Sequence, residues 1–290
     1  MSATPPGPDR RDVFDEVFAL LSPERLLRDP RADGEGVTVC VIDSGVERGL
    51  LEERFRQRGQ SIHPIEGGVF SAEHAEPLPY DGHQSTPHGT TVADIVLNIA
   101  PRVRLFSADV FGPQGTCEVE VVIHALRWAI DVWKCKVINL SLGVPEHRLQ
   151  QAQRRHQFQR AIEEAYYKDA LIFAAAHNEH PLTRSYPAAF APPLMSVDKH
   201  LFEDPLQFAY NLRDEVEFLA HGRGYLGPFA NEPATSWAAP HLAGIAARIL
   251  SLRSGMKPFE IKTVLYWLFR ASEVGMPSSL LGRPRTAKNG

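Results

Sequence analysis

The sequence predicts an α/β fold in three layers, a mostly parallel central sheet with helices on both faces. Apolar runs recur along the chain and are nearly continuous rather than alternating, as strands covered on both faces are. Longer stretches with helical periodicity separate most of these runs, which is the spacing of parallel βαβ units. One helical stretch, Trp237-Ala238-Ala239-Pro240-His241-Leu242-Ala243-Gly244, is small and apolar nearly all round, so it belongs inside the molecule.

The strand candidates in chain order are residues 37–42, 103–110, 137–142, 171–175, 194–197 and 216–219. The helical candidates are 88–99, 118–133, 149–168, 236–252 and 258–271, and in the fourth the ring of Pro240 is tolerated because it falls in the first turn. Residues 46–87 contain Gly67-Gly68, Pro77, Pro79 and Gly82 and read as one long surface connection. Residues 1–36 form an N-terminal extension, partly disordered, with one short apolar-periodic helix at 13–21. A single domain then occupies 37–275, and 276–290 is a flexible tail rich in Gly, Pro and Ser.

Composition narrows the function. Hydrophobic residues make up 43% of the 290 and charged residues 23%, which excludes a disordered, collagen-like or disulfide-scaffold chain. With 31 basic against 35 acidic residues the formal charge is −4, so neither a nucleic-acid footprint nor a polybasic membrane patch is present. No apolar stretch has membrane-spanning length and the first residues lack the apolar core of an export signal, so a cytoplasmic location is expected. Cys40, Cys117 and Cys135 are odd in number and follow no metal or disulfide spacing, which points to reduced thiols.

Four local patterns carry chemistry, and each has a plainer alternative. Asp43 closes the first apolar run in Ile42-Asp43-Ser44-Gly45, at the strand end where ligands bind in open α/β sheets; alone, it reads as an Asp-Ser-Gly turn. His88 opens a helix in Pro87-His88-Gly89-Thr90, and alone it is a polar cap. Ser236 stands in the first turn of the buried helix, where its hydroxyl and backbone N–H face out of the helix mouth, and alone it is an N-cap. Asn178 follows a strand in Ala174-Ala175-Ala176-His177-Asn178-Glu179; its amide is either an oxyanion donor or a left-handed turn residue.

Together these patterns run in the order Asp, His, Ser that subtilisin uses. With the text around each site, and with Ile138-Asn139-Leu140-Ser141-Leu142-Gly143, Phe111-Gly112-Pro113-Gln114-Gly115-Thr116 and Pro240-His241-Leu242-Ala243-Gly244, the chain resembles the subtilisin-like serine peptidases over roughly residues 36–271. The resemblance implies the subtilisin-like form of the fold and a serine endopeptidase that works through an acyl-enzyme, with Ser236 as nucleophile, His88 as general base and acid, and Asp43 orienting the imidazole. It implies Asn178 and the Ser236 N–H as oxyanion donors and no metal or organic cofactor. Gly115, Thr116 and Cys117 on one side, and Ser141, Leu142 and Gly143 on the other, would pair with an extended polypeptide substrate. Ala176, His177 and Ser185 would line the primary specificity pocket, with Glu179 near its rim and Glu118 near the substrate edge, where acidic groups would attract basic side chains.

Two positions depart from the family's usual text. His177 stands where most relatives have glycine before the oxyanion asparagine, and Ala234 replaces the glycine before Thr235-Ser236. Glycine accepts positive φ and close backbone approach, so these exchanges bear on the oxyanion geometry. His177 either narrows the specificity pocket or turns to solvent. Residues 92–99 run on without the interruption that carries a calcium loop in many relatives, and the spacing of His63, His74 and His83 matches no zinc pattern. A dedicated processing peptidase for one protein partner or precursor peptide is the expected role; a pseudoprotease that only binds peptides is the alternative.

Overall fold

The computed structural model of the protein describes residues 23–111, 115–211 and 215–273. The helix expected at 13–21 and the tail at 276–290 lie outside the described residues. In chain order the elements are α1 (Pro23–Leu26), β1 (Thr38–Asp43), α2 (Arg48–Gln57), β2 (Glu66–Val69), β3 (Leu78–Pro79), α3 (Pro87–Ile99), β4 (Arg104–Asp109), α4 (Val119–Asp131), β5 (Val137–Leu140), β6 (Val144–Pro145), α5 (Ala152–Tyr167), β7 (Leu171–Ala175), β8 (Ser185–Tyr186), β9 (Met195–His200), β10 (Phe208–Tyr210), β11 (Phe218–His221), α6 (Thr235–Leu252) and α7 (Pro258–Glu273).

Nine strands form one sheet in the order β10-β11-β9-β7-β5-β1-β4-β2-β3. The seven from β11 to β2 run parallel, and only the edge strands β10 and β3 pair antiparallel. Strand β1 shows why its run is apolar throughout: Val39 and Val41 enter one core while Cys40 and Ile42 enter the other, on opposite faces of the pleat. Helices α3, α6 and α7 pack on the first face, and α4 and α5 cover the second. This is the three-layer arrangement.

Three expectations need correction. Residues 46–87 are not one connection, since they hold α2, which buries Leu51 and Phe55, and the strands β2 and β3. The run 137–142 stops as a strand at Leu140, and Ser141 to Gly143 leave the sheet to shape the site. Pro240 lies beyond the first turn of α6, because the helix begins at Thr235. It withholds the hydrogen bond due to the carbonyl four residues back, that of Ser236. The Ser141 hydroxyl donates to that freed carbonyl at 2.8 Å, and this satisfies the group the proline leaves open.

Candidate active site

Asp43, at the carboxyl end of β1, is 1% exposed, and a carboxylate so buried must be met by donors. Its Oδ1 accepts the Ser44 N–H at 2.8 Å and lies 2.8 Å from His88 Nδ1, while Oδ2 lies 3.0 Å from the same nitrogen. The hydroxyl of Ser44 ties the two elements together. It accepts from Thr86 Oγ1 at 2.7 Å and from the Gly89 N–H at 3.1 Å, and its own oxygen stands 3.1 Å from Asp43 Oδ1. Gly89 is required here, since a Cβ at this position would sit 2.2 Å from the Gly45 carbonyl oxygen.

His88 occupies the first turn of α3 behind Pro87, so its ring projects from the helix mouth. Burial works to lower its pKa, but the Asp43 charge and hydrogen bond outweigh burial and hold it above the ordinary imidazole value. With Nδ1 given to Asp43, Nε2 is the nitrogen left for a substrate or nucleophile. The Trp237 ring packs against the imidazole at a centroid distance of 4.9 Å, and its own Nε1 donates to the Glu232 carbonyl at 2.9 Å.

Ser236 stands in the first turn of α6, where backbone N–H groups have no partner within the helix. Its hydroxyl donates to the Ser141 carbonyl at 3.2 Å and not to His88. Asp43 and His88 are therefore joined, and the serine hydroxyl rests on the Ser141 carbonyl. The Oδ1 of Asn178 accepts from the Thr235 N–H at 2.9 Å and lies 3.1 Å from the Thr235 hydroxyl, and Lys199 Nζ donates to the Asn178 backbone carbonyl at 2.7 Å. The amide oxygen is fixed in this way, which leaves the Nδ2 hydrogens of Asn178 as the donor end.

Neither departure from glycine sits at a backbone conformation that needs glycine. Ala234 has φ −142° and ψ 154°, extended backbone that any residue adopts, and His177 has no positive φ either.

A groove of about 910 Å³ runs from Asp43 and His88 past Gly115, Thr116 and Cys117 on one wall and Ser141, Leu142 and Gly143 on the other. These six residues come together as a substrate channel would require. Ala176, His177 and Ser185 instead line a separate cavity of about 10 Å³. His177 is half-buried there, and its Nδ1 accepts the Glu179 N–H at 3.2 Å. Glu118 lines the groove, whereas Glu179 is exposed and its Oε2 accepts from Thr183 Oγ1 at 3.2 Å. Burial, with the charges of Asp43, Asp109 and Glu118, pushes the Cys117 thiol up to about 12, so it stays protonated beside the channel. Cys40 and Cys135 are buried, and all three thiols are free.

Sequence reasoning missed Thr86, Trp237 and Lys199, which hold the candidate residues through contacts between distant segments. One signal was available: a proline four residues after Ser236 marks that carbonyl as needing an outside donor. His63, His74 and His83 sit beside Glu35, Ser71 and Glu47 respectively, each in a separate place. Among the described residues no group of three metal-ligating side chains is found, and no helix is long and apolar enough to cross a membrane.

Known proteins resemble this one in sequence and in shape. The model of the Subtilase family matches residues 34–201. An intracellular serine protease of Paenibacillus polymyxa is 28% identical over 238 residues, covering 76% of this chain and 68% of that protein. Subtilisin E of Bacillus subtilis (strain 168) is 29% identical over 239 residues, which is 75% of this chain and only 56% of the relative's length. Among solved structures, that of a lanthipeptide protease superposes with a TM-score of 0.61 at 21% identity, covering 86% of each chain.

Proposed function

The chain belongs to the subtilase family of subtilisin-like serine endopeptidases, and from this premise we propose that Asp43, His88 and Ser236 are its catalytic triad. One observation carries the reading: a buried carboxylate held on the imidazole at 2.8 Å, at the head of a groove whose wall carries the serine's hydrogen-bond acceptor. Rotation about the Ser236 Cα–Cβ bond moves Oγ from the Ser141 carbonyl toward His88 Nε2, a staggered-rotamer change that substrate entry drives. His88 then takes the hydroxyl proton as Oγ attacks the scissile carbonyl, and Asp43 stabilises the imidazolium. The Ser236 N–H and Asn178 Nδ2 hold the oxyanion. His88 returns the proton to the leaving amine, and a water activated by the same imidazole releases the acyl group.

The substrate is an extended polypeptide bound between residues 115–117 and 141–143, with Glu118 drawing basic side chains into the groove; the small separate cavity of Ala176, His177 and Ser185, which meets the groove wall where Ser185 faces Gly143, is its proposed primary pocket. We place the enzyme in the cytoplasm, with the Paenibacillus relative named as intracellular, and assign it a dedicated protein or precursor peptide, a role in keeping with the lanthipeptide protease of similar fold. The resting Ser236–Ser141 contact favours a second reading, a peptide-binding pseudoprotease. Incubation of an unfolded protein with the wild type and with Ser236→Ala separates the two: discrete new termini with the wild type alone support the enzyme, and tight binding without cleavage by both supports the pseudoprotease.

A further inference from the structure

A general base must hold its plane as well as its hydrogen bond, because proton transfer needs the accepting nitrogen aimed at the hydroxyl. The ring torsion of a histidine is broad, so packing has to set it. Asp43 holds the His88 imidazole at Nδ1, at 2.8 Å, while 31% of the side chain is open to solvent. The aromatic side chain packed on the ring is Trp237. The two ring centroids lie 4.9 Å apart and the planes are inclined at 37°, closer to face-on than to edge-on.

Trp237 is itself held fast. It is 3% exposed, its Nε1 donates to the Glu232 carbonyl at 2.9 Å, and the Phe229 ring centroid lies 5.2 Å from its own. Its backbone carbonyl accepts from His241 Nδ1 at 2.7 Å. Ser236 is its neighbour in the first turn of α6, so one side chain ties the turn that carries the serine to the turn of α3 that carries the histidine. The electrostatics agree. An aromatic face attracts a cation within about 6 Å of its centre, and attracts it most where water is excluded. Asp43 on β1 is the charged group that acts on His88; Asp109 and Glu118 act on Cys117 at the groove wall, and the first turns of α3 and α6 carry no charged residue besides the histidine.

We propose that Trp237 is a positioning residue for the hydrolysis: its indole fixes the plane of the His88 imidazole so that Nε2 faces Ser236, and its π face stabilises the imidazolium formed when the serine proton is taken. The inference rests on the reading of His88 as the general base. Asp43 supports the cation at one edge of the ring and Trp237 supports it at a face. The two hold the same charge from different directions, so neither replaces the other.

Two substitutions in the full chain test this. Trp237→Met fills the space with an adaptable apolar chain and no aromatic face, and Trp237→Phe keeps a face without the indole N–H. Histidine NMR titration, with the His88 signal assigned by its loss in His88→Gln, reads the imidazolium directly. Trp237→Met should lower the His88 pKa by about half to one pH unit. The acidic limb of kcat/KM should move down with it, and kcat should fall about threefold to tenfold with little change in KM. Trp237→Phe should show smaller changes in the same direction, so either variant that folds decides the matter. An unmoved His88 pKa and limb overturns the proposal, and so does a kcat loss that Trp237→Phe shares in full. A His88 titration that shifts in Trp237→Met while the wild type cuts no peptide would instead overturn the general-base reading, and with it the catalytic half of the proposal.

Discussion

Ser236 and Ser141 exchange hydrogen bonds: the Ser236 hydroxyl donates to the Ser141 carbonyl at 3.2 Å, and the Ser141 hydroxyl donates to the Ser236 carbonyl at 2.8 Å. The second bond exists because Pro240 has no N–H to offer that carbonyl. The first holds the candidate nucleophile against the groove wall.

Removing the Ser141 hydroxyl leaves the Ser236 carbonyl unpaired. Ser141→Ala should therefore lose about 1–3 kcal/mol of stability by denaturant titration. In a Pro240→Ala background the helix N–H takes over, so the same substitution should cost markedly less. Equal costs in the two backgrounds would show that the proline and the serine are not coupled.

The imidazole governs the response to pH. His88 must be neutral to accept a proton, and its pKa is raised because the Asp43 charge and hydrogen bond outweigh burial. The acidic limb of kcat/KM should therefore lie above the pH at which a free imidazole titrates, with activity rising as pH increases through it. Asp43→Asn leaves burial to act alone, so the limb should move to lower pH and kcat should fall by about 10⁴. Folding stability has the opposite slope. A raised histidine pKa contributes stability that is fully present below the unfolded value and is lost as pH rises through the folded one.

The bond that the Asn178 amide oxygen accepts from the Thr235 N–H leaves Nδ2 as its donor end, which is what the proposed oxyanion role requires. Asn178→Ala should lower kcat by about 10²–10³ with little change in KM. Lys199→Met, which removes the bond to the Asn178 backbone carbonyl and a longer one of 3.4 Å to its Oδ1 but keeps the Thr235 bond, should give a smaller loss of the same kind. A KM effect without a kcat effect would assign Asn178 to binding instead.

Two glycine substitutions should have opposite signs. Gly89→Ala drives a methyl to 2.2 Å from the Gly45 carbonyl oxygen, whereas Gly49→Ala in α2 meets nothing within 4 Å. The first should lose at least about 1–3 kcal/mol and loosen the Asp43–His88 pair, and the second should gain about 0.5–1 kcal/mol. Thermal melts of both variants read the difference.

The central strands were legible because each buries side chains on both faces, so β1, β4, β5 and β7 stand out as apolar text. Helix α2 was not legible, because its sequence, Arg-Gly-Leu-Leu-Glu-Glu-Arg-Phe-Arg-Gln, buries only Leu51 and Phe55, too few positions for a period to show. Strand β2 reads as a turn because it contains Gly67-Gly68, yet Gly67 is there for packing: a Cβ would stand 2.1 Å from the Ser107 carbonyl oxygen. At the site, Asp43, His88, Ser236 and Asn178 were found from local text and their order along the chain. The bonds that orient them, Ser44 with Thr86 and Thr235 with Asn178, join segments 42 and 57 residues apart and leave no local pattern.

The central claim is that Ser236 is an activated nucleophile despite resting on the Ser141 carbonyl. Purified protein treated with a fluorophosphonate probe and weighed intact, beside Ser236→Ala, tests it most directly. One adduct is expected on the wild type, mapped to Ser236 and formed at a rate that rises with pH through the His88 titration, and none on the variant. A folded wild-type protein that gains no adduct, or gains it equally with Ser236→Ala, would contradict it.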